Sequence, residues 1–183
     1  MFKSDGTAEG TVLVKDIYAG IGGGFPQYLS ILNGTLYFQA TDSSGVTSLW
    51  KSDGTEAGTE AINLPVIDST GFPLNYLTTS NGLLYFLART LDDANSPQIE
   101  MWVSDGTEVG TYILQNPFTS DSQASGMTDI NGIAFFIATD PVHGTELWQS
   151  DGTEPGTAMV EDIFLGDGSG YPRYFTELGG ILY

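Results

Sequence analysis

The octapeptide Ser52–Thr59, SDGTEAGT, decides the fold because near copies of it recur along the chain. SDGTAEGT begins at Ser4, SDGTEVGT at Ser104 and SDGTEPGT at Ser150, so the spacings are 48, 52 and 46 residues. A period of this size is typical of repeat proteins, in which one unit of supersecondary structure is used several times.

Two further sequence features recur with the same period as the SDGT turn. A bulky pair precedes each turn, at Met1-Phe2, Leu49-Trp50, Met101-Trp102 and Leu147-Trp148. An Asn-Gly or Gly-Gly pair follows later in each unit, at Asn33-Gly34, Asn81-Gly82, Asn131-Gly132 and Gly179-Gly180. The whole unit is therefore repeated, and not the turn alone.

Each unit predicts four short antiparallel strands. In the first full unit these are residues 28–32, 35–40, 48–52 and 59 to about 64, all rich in aromatic and β-branched residues. Asn33-Gly34 predicts a type I′ hairpin between the first two strands, because both residues readily take positive φ. No stretch shows the 3.6-residue periodicity of a helix.

Four antiparallel strands in 40–50 residues are typical of a β-propeller blade. We expect Trp50, Trp102 and Trp148 to fill the space between blades, because a blade alone leaves two apolar faces open. A parallel β-solenoid is the alternative, but its coils are usually shorter. The sequence predicts an all-β propeller domain or propeller segment over residues 1–183, with repeats 1–50, 51–102, 103–148 and 149–183.

In this register, the chain starts inside a third strand and stops inside a second strand. We expect the last blade to be completed by the N-terminal strands, by a second copy or by the remaining blades of a longer chain. Open strand edges favour self-association. The number of blades stays open between a four-bladed ring, a larger ring and a filament.

The composition restricts the classes of partner. With 23 acidic residues against 5 Lys and Arg, the net charge is −18. This charge repels nucleic acids and anionic membranes, and no apolar run approaches the roughly 18 residues of a membrane-spanning helix. There is no cysteine, so disulfides and thiolate chemistry are excluded. The acidity indicates either solubility or a cation cofactor, for which calcium is the candidate.

The stretch Glu146–Thr153, ELWQSDGT, resembles the ELWxxDGT repeat family of bacterial, mostly exported proteins. Residues 11–17, TVLVKDI, and 33–38, NGTLYF, are also similar to that family's repeat, whereas residues 60–63 and 112–115 depart from it. The resemblance covers essentially the whole chain. It implies a β-propeller-like fold and an extracellular or cell-surface location, and it implies little about chemistry.

The repeated turns predict a structural role. An aspartate in such a turn accepts hydrogen bonds from nearby backbone N–H groups, and Asn and Gly supply positive φ. The structural asparagines are Asn33, Asn81 and Asn131. The alternative is that the turn aspartates bind calcium, which needs six to eight oxygen ligands. The candidate calcium ligands are Asp5, Asp53, Asp105 and Asp151.

The loops at the opposite end of each unit vary in sequence, and loops on a rigid scaffold commonly bind ligands. These loops predict a ligand-binding surface that carries several carboxylates and the one histidine. Its candidate residues are Asp42, Asp68, Asp92, Asp93, Asp121, Asp140, His143 and Asp167.

No HExxH, Ser/His/Asp order or other catalytic motif occurs in the chain. The sequence therefore predicts a non-enzymatic extracellular module that serves adhesion, structure or ligand binding, with a carbohydrate or surface ligand as partner. Two alternatives stay open: a polysaccharide hydrolase or lyase that uses loop carboxylates, and a calcium-dependent lectin.

Overall fold

The computed structural model describes residues 1–62, 64, 75–91, 97–114 and 125–183. These residues form sixteen β-strands and no helix, so none of them belongs to a helix that could cross a membrane. The strands form five sheets, and each sheet with its turns and loops is called a unit below. The first unit contains only β1 (Phe2–Lys3) and β2 (Val12–Leu13), and the last only β15 (Glu177–Leu178) and β16 (Ile181–Leu182).

Three units between these form four-stranded sheets. Their strands are β3 (Gln27–Leu32), β4 (Thr35–Thr41), β5 (Thr47–Ser52) and β6 (Glu60–Ala61); β7 (Asn75–Ser80), β8 (Leu83–Leu91), β9 (Pro97–Ser104) and β10 (Thr111–Ile113); and β11 (Ser125–Ile130), β12 (Ile133–Asp140), β13 (Gly144–Ser150) and β14 (Ala158–Glu161).

Every strand in these sheets pairs antiparallel with its neighbour along the chain. The predicted all-β antiparallel meander is therefore confirmed. The fourth strand of the first full unit is shorter than predicted, since β6 spans only Glu60–Ala61, although Ile62 N–H still donates to the Leu49 carbonyl.

The hairpins between first and second strands have the predicted backbone. Asn33 and Gly34 have φ of 50° and 80°, and the flanking residues Leu32 and Thr35 pair directly. Two consecutive positive φ angles are the mark of a type I′ turn, whose twist matches that of the strands.

The sheets pack face to face because the middle strands are apolar on both sides. In β8, Leu84 and Phe86 face the preceding sheet, whereas Tyr85 and Leu87 face the following one. Burial raises the pKa of the Tyr85 hydroxyl to about 12. Alternation along a strand thus builds two cores from one sheet.

The three tryptophans are buried between sheets, at corresponding positions in β5, β9 and β13. Each packs on the face turned to the preceding unit, opposite a phenylalanine of its own second strand. The Phe86 and Trp102 rings are stacked, with centroids 6.2 Å apart and planes 9° from parallel.

A β-bulge interrupts the first strand of each complete sheet. The register shifts between Gln27 and Ser30 in β3, and β7 and β11 shift at the corresponding positions. The first strands are also neighbours, since β7 contacts both β3 and β11. The bulged starts of adjacent sheets therefore lie near one another.

Candidate functional site

The antiparallel order gives each sheet two chemically different ends. The turn end carries the Asn-Gly hairpins and the SDGT turns. The loop end carries the connections from second to third strands and from fourth strands to the next unit. Its described residues are 14–26, 42–46, 62, 64, 114, 141–143 and 162–176.

The four turn-end aspartates make the same hydrogen bonds. In the second unit, Asp53 Oδ1 accepts from the Thr55 N–H at 2.8 Å and from the Thr55 hydroxyl at 2.7 Å. These bonds, led by that of the hydroxyl, lower the pKa of Asp53. The corresponding bonds and lowered pKa values recur at Asp5, Asp105 and Asp151.

Serine and threonine hydroxyl groups make the remaining hydrogen bonds within each SDGT turn. The Ser52 and Thr59 hydroxyls lie 2.7 Å apart, and the Thr59 hydroxyl donates to the Thr55 carbonyl at 2.6 Å. Gly54 N–H donates to Ser52 Oγ, and Gly58 N–H donates to Thr55 Oγ1. Serine and threonine at these positions thus replace the backbone partners that a tight turn lacks.

The SDGT turns also join successive units, which the sequence analysis missed. Lys3 Nζ donates to the Gly54 carbonyl at 2.8 Å, and Lys15 Nζ donates to the Thr59 carbonyl at 2.8 Å. Further along, the Tyr112 hydroxyl donates to the Gly152 carbonyl at 2.7 Å. Each of these bonds runs from one unit to the turn of the next unit.

At the loop end, Asp42 is held within its own loop. Its Oδ1 accepts from the Ser44 hydroxyl and from the N–H groups of Ser44 and Val46. The hydroxyl bond is the main cause that lowers the pKa of Asp42. One oxygen of the Asp42 carboxylate is thus already hydrogen-bonded within its own loop.

Asp140 and His143 form the one described ion pair at the loop end. His143 Nδ1 lies 2.8 Å from Asp140 Oδ2, and this hydrogen bond raises the pKa of His143. Burial works to raise the pKa of Asp140, but bonds from the His143 ring and from the N–H groups of His143 and Val142 outweigh it and lower that pKa.

Glu146 is a fully buried carboxylate that sequence reasoning treated only as part of a motif. Its Oε1 accepts from Gly170 N–H at 2.8 Å, and its Oε2 accepts from Ile163 N–H at 3.3 Å. Asp162, next to Ile163, accepts from Gly166 N–H. The charges of both carboxylates add to the raised pKa of His143. Thr145 N–H donates to Ser169 Oγ at 2.9 Å, so the loop 162–170 lies against the strand that follows His143.

The remaining loop-end candidates separate into two groups. Asp167 is exposed in the loop that Glu146 anchors. Asp68, Asp92, Asp93 and Asp121 lie outside the described residues. Among the residues that the structure describes, no three His, Asp or Glu side chains are grouped to hold a metal ion. Of the predicted set, the structure brings together Asp140 and His143.

Aromatic residues with positive φ are a loop-end feature that the sequence analysis missed. Tyr28 and Tyr76 have φ of 52° and 58° at the bulges of β3 and β7. The corresponding residue of β11 is Gly126, with φ 69°. Phe25, Tyr171 and Tyr174 also have positive φ. A bulky side chain in this region costs about 1–2 kcal/mol, so these residues are strained.

Comparison with protein-family models, with curated proteins and with solved structures finds no match for this chain.

Proposed function

We propose that the chain is a non-catalytic, extracellular β-propeller module that binds a ligand through its loop end. The three four-stranded sheets would be blades, and the two-stranded sheets parts of further blades. The face-to-face stacking and the adjacency of β3, β7 and β11 support this architecture. The resemblance to ELWxxDGT repeats supports the extracellular location.

The contrast between the two ends carries the functional proposal. Turn-end side chains are used in hydrogen bonds within and between units. At the loop end, many large apolar side chains are exposed, Ile21 and Leu165 almost wholly, whereas Val109 is the one such side chain among the described turn residues. Exposed apolar groups beside varied polar loops are typical of binding surfaces on a rigid scaffold.

Self-association forms part of the proposal. Among the described residues, β1 and β16 each pair with one strand only. An open strand edge recruits another strand. We propose that these edges are filled by a second copy or by further units of a longer chain.

A matched pair of variants tests the binding end. Ile21→Ser with Leu165→Ser removes the apolar loop-end tips, and Val109→Ser removes an equally exposed apolar side chain at the turn end. The immobilised variants are compared for retention of neutral polysaccharides, basic proteins and bacterial cell surfaces. We expect only the loop-end variant to lose retention. Loss confined to Val109→Ser contradicts the proposal.

The second candidate function is a polysaccharide hydrolase or lyase. The observation that favours it is the Asp140–His143 pair, which lies at the loop just before the strand that carries Glu146. It is the weaker candidate because Glu146 is buried and both its oxygens accept backbone hydrogen bonds. Release of new sugar ends from a polysaccharide, abolished by His143→Ala, would establish it in place of the binding function.

A further inference from the structure

We propose that Tyr28 and Tyr76, with Phe25 three residues before Tyr28, form a site for the cationic side chains of a basic peptide segment. The inference rests on the proposed function, because it names the ligand class of the loop end. The expected contact is a guanidinium or ammonium group over an aromatic face.

The backbone conformation of the bulge does not explain why tyrosine stands at positions 28 and 76. The bulge requires positive φ at its first residue, and Gly126 meets this requirement in β11 without a side chain. Tyr28 and Tyr76 adopt the same positive φ, although it strains a residue that carries a bulky side chain. Strain that a glycine would remove, and that two units nevertheless keep, indicates that the rings have a use of their own.

The rings are available to a partner. Tyr28 and Tyr76 are each 40% exposed, and Phe25 is 68% exposed. Tyr76 keeps this exposure although β7 has contacting first strands on both sides. Packing between units therefore leaves part of Tyr76 exposed. Because β3 and β7 are neighbours, the two tyrosines lie at the same end of adjacent strands.

The net charge of the chain favours a cationic ligand over an anionic one. The net charge of −18 attracts cations and repels phosphates, sulfates and other anions. The last unit shows the contact in question, since the Arg173 guanidinium lies 5.8 Å from the centroid of the Tyr171 ring. Arg173 directly precedes Tyr174, whereas neutral Gln27 and Asn75 precede Tyr28 and Tyr76. In the first two full units, therefore, no cationic residue directly precedes the tyrosine in the sequence.

The test measures binding of an arginine-rich peptide to the 183-residue chain by calorimetry. The variant Tyr28→Asn with Tyr76→Asn removes both rings, tolerates positive φ and leaves the net charge unchanged. We expect its affinity to fall about 5- to 30-fold, from two exposed cation–π contacts. Tyr28→Phe with Tyr76→Phe keeps both ring faces and is expected to bind within about twofold of the original chain.

Equal affinity of the asparagine variant and the original chain would overturn the inference, because binding would then reflect overall charge only. Tyrosine-dependent binding of a neutral oligosaccharide, without peptide binding, would also overturn it but would leave the proposed function standing. If the asparagine variant fails to fold, NMR on the original chain decides. The arginine side-chain protons of the bound peptide are then expected to shift upfield, and unchanged shifts refute the site.

Discussion

The carboxylate of Asp53 occupies the space that a Cβ atom on Gly58 would fill: such an atom would lie 2.1 Å from Asp53 Oδ1. The same relationship holds in the other three turns, where the Asp oxygen would lie 1.9–2.2 Å from the added atom. The second glycine of SDGTEAGT is therefore required by the aspartate, and the two residues act as a pair.

Replacing Gly58 by alanine is expected to lower the free energy of unfolding by about 1–3 kcal/mol, because the new methyl group and the carboxylate cannot share one place. Denaturant unfolding of the variant measures this loss. In an Asp53→Ala background the obstruction is absent, so the same substitution is expected to cost less than half as much. Equal losses in the two backgrounds would show that the residues are not coupled.

Acid is expected to destabilise the turns. Their aspartates have folded-state pKa values below the ordinary value, so they stabilise the fold above about pH 4 and lose this contribution as pH falls through the lowered pKa. Melting temperatures measured from neutral to acid pH test this in the original chain and in Asp53→Asn. The two chains should differ near neutral pH and converge in acid. A constant difference would mean that ionisation of Asp53 plays no part.

Calcium is expected to leave the melting temperature unchanged within about 1 °C, when saturating calcium is compared with chelator. A site occupied at 100 times its dissociation constant would add about 2.7 kcal/mol, which is several degrees for a chain of this size. The reason for the expected result is that each turn offers only one aspartate and one glutamate, and the aspartate Oδ1 already accepts two hydrogen bonds, as at Asp53. A rise of several degrees, abolished by Asp53→Asn or Asp105→Asn, would restore the calcium alternative.

His143 is the one histidine of the chain, so its NMR titration is free of overlap. Its hydrogen bond to Asp140 raises its pKa above 6.5. The pair therefore stabilises the loop fully below about pH 6.5 and loses that contribution as pH rises through the raised pKa. In Asp140→Asn we expect the pKa to return towards about 6.5. An unchanged value would assign the shift to Asp162 and Glu146 instead.

Much of the fold follows from local sequence. Asn33-Gly34 fixes a turn type through φ preferences, and the alternation in strands such as β8 places apolar groups on both faces. These signals depend on residues adjacent in the chain. They predict strands and hairpins within a residue or two at most boundaries, and they identify the turn aspartates before any coordinates are known.

The contacts between units do not follow from local sequence. Lys3 reaches the Gly54 carbonyl 51 residues away, and that pairing depends on how two sheets stack. Tyr28 has no propensity for positive φ, so its conformation comes from the bulge that the neighbouring strands impose. The burial of Glu146 likewise depends on the loop 162–170 folding back over β13.

Trp102 joins two sheets, and its replacement tests the stacking directly. The ring is buried, stacked on Phe86 and in the same apolar cluster as Leu49 of the preceding sheet. Trp102→Ala leaves a cavity and is expected to cost about 3–5 kcal/mol, or roughly 6–20 °C in melting temperature. Val109→Ala, at an exposed turn position, is the control and should change stability by less than about 0.5 kcal/mol. If Trp102→Ala unfolded no more easily than this control, the sheets would not be held together by the tryptophan contacts, and the stacked architecture would have to be abandoned.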